Sequence, residues 1–200
     1  MSWEKAHREA ICIAVEKLRE VDMDSRCRLL GLSKPQGGSV PLRAFGIDMV
    51  LSLPEFKLFE AVSGERVKSG DRILVLHYLL CDLPVEETGE LISFRELAGG
   101  QFYWEPFCSR TVRPLVKKIG NDLERLKGNL DRFDWKPVKL GDLGARIHAI
   151  GKLYCTIVYR LGDEEFPASA DFLFDSSFKR VYNAEDTVVL AGRICHLLMK

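Results

Sequence analysis

Residues 146–159 constrain the fold more than any other stretch. Arg146 to Ile150 and Leu153 to Tyr159 are apolar-rich runs separated only by Gly151-Lys152. Two residues suffice to join antiparallel strands, and glycine takes positive backbone angles at little cost, so the pattern predicts a β-hairpin. A fold for this chain therefore has to contain an antiparallel sheet. Ala170 to Asp175 alternates well enough to supply another strand. After Asp24, the residues Gly31, Pro35, Gly37, Gly38, Pro41 and Gly46 punctuate short apolar pieces. Leu29-Leu30, Ala44-Phe45, Ile47 to Leu51 and Phe56 to Glu60 read as short strands of a meander, with Pro54 near a turn.

Helical spacing occupies the rest. From Trp3 to about Val21, Trp3, Ala6, Ala10, Ile13, Ala14, Lys17 and Leu18 recur at three- and four-residue steps, with Ser2 as the cap and a sheet as the packing surface. Ser69 begins a second helix as its cap, with Asp71 near the positive end of the dipole, running to Cys81 or Asp82. Leu91 to Phe94 reads as a brief strand before a turn at Arg95-Glu96-Leu97. Pro106 to about Ile119 is a third helix, closed by Gly120 and broken or kinked by Pro114. Asn121 caps a fourth, from Asp122 toward Phe133, and a terminal helix starts near Ala184 or Glu185, presenting Val188, Val189, Ile194, Leu197 and Leu198 with His196 and Lys200 at its negative end. The expectation is one α+β domain over residues 1–200, an antiparallel sheet of short strands packed with about four to five helices, with its motif-rich part at 69–120.

Composition excludes several function classes. With 46% hydrophobic and 29% charged residues the chain is too apolar for disorder. Lys plus Arg equals Asp plus Glu at 29 each, so no net field drives it toward nucleic acid or anionic lipid. The mixed charges of Met1 to Glu9 do not form a secretion signal, and the longest apolar run, Ile73 to Cys81, falls far short of the roughly 20 residues that cross a bilayer. The expected setting is cytoplasmic, with neither membrane nor nucleic acid as partner. Six cysteines stand singly, without the close pairs that metal and cluster sites use. Cys12, Cys81, Cys155 and Cys195 read as buried thiols; Cys27 and Cys108 have arginine neighbours able to lower a thiol pKa.

Ser69 to Pro114 concentrates the candidate chemistry. Arg95, Arg110 and Arg113 fall beside Phe102, Tyr103, Trp104 and Phe107. Guanidinium groups clamp carboxylates and phosphates and stack on aromatic faces, so the mixture suits a flat anionic ligand, against the alternative of a purely structural aromatic cluster. His77 precedes Cys81 by four residues, a spacing that permits shared ligation of a metal, against the alternative of a core histidine bonded to backbone or carboxylate. No further metal donors are nominated. Gly99-Gly100 permits close backbone approach, and Asp163-Glu164-Glu165 reads as a solvated acidic turn, against the alternative of binding a hard cation or serving as acid and base together with Asp175. The G-x-S-x-G elbow and the P-loop are both absent.

Several blocks, in order, resemble the family catalogued as domain of unknown function 3786, found mostly in anaerobic bacteria and archaea. They are Asp71 to Leu80, Ile92 to Gly100 with Tyr103 and Phe107, Arg113-Pro114-Leu115, Gly162 to Ala168, and Leu173-Phe174-Asp175 with Glu185-Asp186. Some similar proteins carry an added cysteine-rich iron–sulfur module, whose cysteine pattern does not occur in these 200 residues. The resemblance implies anaerobic one-carbon, corrinoid or redox metabolism and transfers no catalytic residue. The resulting expectation is an accessory protein binding an anionic cofactor, metabolite or partner protein through Arg95, Arg110, Arg113, Tyr103 and Trp104, with His77 as an axial or hydrogen-bonding group. A tetrapyrrole or nucleotide-like cofactor would fit such a cavity. The alternatives are an enzyme pairing His77 with Glu96 or Asp175 as acid and base, and a pure protein-interaction module.

Overall fold

The computed structural model describes residues 3–200. The chain opens with α1 (Trp3–Arg19) and α2 (Met23–Leu29), then the meander β1 (Ser39–Ala44), β2 (Ile47–Ser52) and β3 (Leu58–Glu60). A central helix α3 (Ser69–Leu80) leads to β4 (Leu91–Ser93), a 3-10 turn at Phe94–Glu96, and α4 (Trp104–Arg110), α5 (Val112–Ile119) and α6 (Leu123–Leu130). The last third holds β5 (Trp135–Val138), β6 (Leu143–Ile150), β7 (Leu153–Arg160), β8 (Ser169–Asp175), α7 (Phe178–Val181) and α8 (Ala184–Leu198). This is an α+β fold. Every strand pairing is antiparallel, in the order β3-β2-β1-β6-β7-β8-β4, with β5 beside β6.

The predicted hairpin is the centre of the sheet. Ile150 pairs with Leu153 around Gly151, whose φ of 55° needs a residue without Cβ. Gly151 is needed a second time because a Cβ there would collide with the Tyr78 ring. The Tyr78 hydroxyl accepts from the Lys152 amide and donates to the Leu30 carbonyl, locking α3 to the hairpin and to the end of α2. Ala145, Ile147 and Ala149 of β6, with Leu153, Cys155, Ile157 and Tyr159 of β7, are fully enclosed in one continuous core. α3 buries residues around most of its circumference, as a helix roofed by others does, with α1 along it and α8 beside it.

Several local expectations change. The Ser2 cap lies outside the described residues. α1 packs along α3 rather than on the sheet, and its buried face is His7, Ile11, Ala14, Val15 and Leu18, leaving Ile13 and Cys12 exposed. Leu29-Leu30 ends a helix instead of forming a strand, because Asp22 caps α2 by accepting from the Asp24 amide. Asp122, not Asn121, caps α6, and Asn121 instead exchanges two hydrogen bonds with the Gly162 backbone. The expected third helix is two helices broken at Thr111, whose φ of −126° and ψ of −92° are non-helical. Pro114 explains the position: it has no N–H for the Arg110 carbonyl, and its ring would clash with that carbonyl in a continuous helix.

Candidate functional site

The seam between α3 and α8 gathers more ionisable groups than any single stretch of sequence suggests. The helices run antiparallel there and are joined by two charged contacts. Arg193 Nε donates to Asp71 Oδ2 at 2.9 Å, and His77 Nδ1 lies 2.8 Å from Asp186 Oδ1. The contacts stand six residues apart on α3, about 9 Å at 1.5 Å per residue. On α8, Asp186, Val189, Arg193 and His196 follow one another at helical steps of three, four and three, so all four face the seam.

A cavity of about 520 Å³ opens at the α3 end of this seam, lined by Lys68, Ser69, Arg110, Val188, Arg193 and His196 among others. Ser69 does not cap α3. Lys68 occupies the N-cap position and supplies no side-chain acceptor, so the first-turn amides keep their partial positive charge toward this end. Among the described residues, the side chains of Lys68, Arg110 and His196 form no hydrogen bond or ion pair, while Arg193 is held by the buried Asp71. Burial pushes the Asp71 carboxyl above its ordinary range despite the opposing Arg193 guanidinium. Burial, then Lys200, Arg193 and Lys68, hold the His196 imidazole below its ordinary value. Among the described residues, Lys68 and Arg110 therefore leave positive charge on the cavity wall without a counter-ion, and His196 adds a neutral imidazole beside them.

A narrower cleft of about 190 Å³ lies further along the seam, lined by His7, Ala10, Ile73, His77, Asn183, Glu185, Asp186 and Val189. Val189 borders both cavities, and Gly70 lies between Val189 and the His7 ring, where a Cβ would make ordinary contacts with each. A carboxylate only accepts, so the proton between His77 and Asp186 sits on Nδ1, and Nε2 is the ring nitrogen left for a further partner. Nε2 has no partner among the described residues. Three of the four histidines in the chain, His7, His77 and His196, line these two adjoining spaces.

The cluster expected from residues 95–113 is dispersed. Arg95 stacks over Trp104 with its guanidinium carbon 4.3 Å from the ring centroid, and Trp104 in turn stacks on Phe107, itself stacked on Phe94 at 4.1 Å. Tyr103 is half exposed, Phe102 is 91% exposed, and Arg113 pairs with exposed Glu105 at 2.8 Å beside a shallow depression between α5 and β8. Arg110 alone reaches the α3–α8 cavity. His77 takes Asp186 as its carboxylate, and both expected partners are otherwise engaged. Glu96 accepts from the Ser93 amide in a capping box. Asp175 accepts from the Thr88, Gly89 and Ser177 amides and the Thr88 hydroxyl; burial raises its pKa, but these bonds outweigh burial and hold it below the ordinary range.

Cys81, read from sequence as a possible co-ligand of His77, is the C-cap residue of α3 with ψ 123°, and its thiol donates to the Leu83 and Arg180 carbonyls. Among the described residues no group of three His, Cys, Asp or Glu side chains is placed to hold a metal ion. Burial raises the thiol pKa of both Cys27 and Cys108, against the effect expected of their arginine neighbours. Asp163 accepts from the Glu165 and Phe166 amides in an exposed turn. Among the described residues no helix is long and apolar enough to cross a membrane. Lys68, Asp71, Asp186, Arg193 and His196 are among the seam residues that sequence reasoning did not select as site residues; the helical spacing on α8 was the available signal.

No curated protein and no solved structure matches the chain. A family profile does match, over residues 22–197, its description being "Domain of unknown function (DUF3786)". That match takes in α3, α4 and nearly all of α8, and with them most of the seam. The chain belongs to the DUF3786 family.

Proposed function

We propose that the protein binds a small anionic metabolite or cofactor in the cavity at the α3–α8 seam. One observation carries this reading: Lys68, Arg110 and His196 surround a 520 Å³ space without intramolecular partners, at the uncapped positive end of α3. Surface cations ordinarily point into bulk water. Here Lys68 and Arg110 border a concavity whose lining also includes the apolar Val188 and Val189, with Asp71 already paired to Arg193. The size favours a small molecule over a docked protein segment.

Sulfate titrated calorimetrically into the full chain at low ionic strength tests the reading. Binding that weakens about tenfold in Arg110→Ala, equivalent to about 1.4 kcal/mol, is the expected result. Arg110 is exposed and unpaired, so the variant should keep its thermal midpoint. Absence of sulfate binding to the native protein, or equal binding by the variant, would overturn it.

A further inference from the structure

The second cleft carries the inference further, and the argument rests on the anion-binding reading. Its chemistry differs from that of the first cavity. His77 Nε2 offers a ring nitrogen for hydrogen bonding, and exposed Glu185 offers carboxylate oxygens as acceptors. The Asn183 Oδ1 already accepts from the Asp186 amide, so its free capacity is the two N–H donors. Ile73 and Ala10 supply apolar wall. Donors and acceptors mixed in a small, partly apolar space match hydroxyl groups, each of which both gives and takes a hydrogen bond. A second anion would meet Glu185 and Asp186, and a purely apolar tail would leave His77 and Asn183 unsatisfied.

We infer that the ligand is a phosphorylated polyol or sugar, with its phosphate among Lys68, Arg110 and His196 and its hydroxyl-bearing body between His77, Asn183 and Glu185. The two recognition zones adjoin at Val189, so a ligand with a body beyond its anionic head can reach from one into the other, as a bare anion cannot. Selectivity then comes from the body and affinity from the head.

Calorimetry with inorganic phosphate, ribose, and ribose 5-phosphate on the full chain tests this. Ribose 5-phosphate is expected to bind at least tenfold more tightly than phosphate, and ribose alone weakly. Glu185→Ala, at an exposed position, should remove most of that gain while leaving phosphate binding intact; His77→Ala should do the same, with its thermal midpoint checked because it leaves Asp186 without its partner. Arg110→Ala should weaken both phosphate and ribose 5-phosphate. Equal affinity for phosphate and ribose 5-phosphate would overturn the bipartite ligand while leaving anion binding standing. A gain that survives both Glu185→Ala and His77→Ala would also overturn it. No binding of either phosphate compound would remove the anion-binding reading itself.

Discussion

The segment from Phe94 to Arg113 and the α3–α8 seam both bring cations next to apolar surface, yet they differ in what those cations have left to offer. Arg95 is spent on Trp104 and Arg113 on Glu105, and the aromatic rings between them stack on one another. In the seam, Arg193 is spent on Asp71 while Lys68, Arg110 and His196 remain unengaged around a cavity. The buried carboxylates repeat the contrast. Asp175 receives several donors and ties residues 88–89 to the end of β8, whereas Asp186 receives the His77 imidazole and the pair borders an open cleft. Residues crowded together in sequence build structure when they satisfy one another. A site needs groups that the fold holds in place and leaves unsatisfied.

The comparison breaks most visibly at Phe107, which is enclosed and stacked between Phe94 and Trp104. Phe107→Ala should cost about 3–5 kcal/mol in urea unfolding while leaving sulfate affinity unchanged at a temperature where the variant is folded. A loss of affinity in that folded variant would mean the aromatic segment shapes the site after all. Asp175→Ala should cost about 2–4 kcal/mol, since three backbone amides lose their acceptor, again without moving affinity. Arg113→Ala sharpens the same contrast from the other side. Its partner Glu105 is exposed, so less than about 1 kcal/mol of stability and no sulfate affinity should be lost.

The smallest effect concerns pH. In the unliganded protein, burial and neighbouring cations depress the His196 pKa; a bound anion would raise it, so binding takes up a proton. Sulfate keeps its charge between pH 8 and pH 6, and its affinity should rise a few-fold as pH falls across that window. His196→Gln should flatten the dependence. The same depression makes the charged imidazole unfavourable in the folded state, so this group's contribution to stability is present at higher pH and declines as pH falls below the ordinary histidine range.

Much of the fold is legible where the governing interaction is local. The Gly151-Lys152 turn, the start of α8 near Ala184 and the extent of α3 follow from backbone geometry and hydrophobic spacing over a few residues. Reading failed where two local signals competed. Asn121 and Asp122 both suit a helix cap, and the choice fell to Asp122 because Asn121 is claimed by Gly162, 41 residues away. Ser69 has the right chemistry to cap α3, yet Lys68 takes that position and the amides stay open. At the site, His77 and Arg110 were visible as chemistry, but their surroundings were not.

By itself the sequence determined an α+β chain containing an antiparallel hairpin, because strand alternation, helical periodicity and turn residues act between near neighbours. Only the tertiary structure decided that His77 meets Asp186, 109 residues on, and that Asp71 meets Arg193, 122 residues on. Those pairings depend on how α3 and α8 pack against each other and against the helices beside them. That choice is made by the packing of the whole core, and no local stretch of side chains encodes it alone.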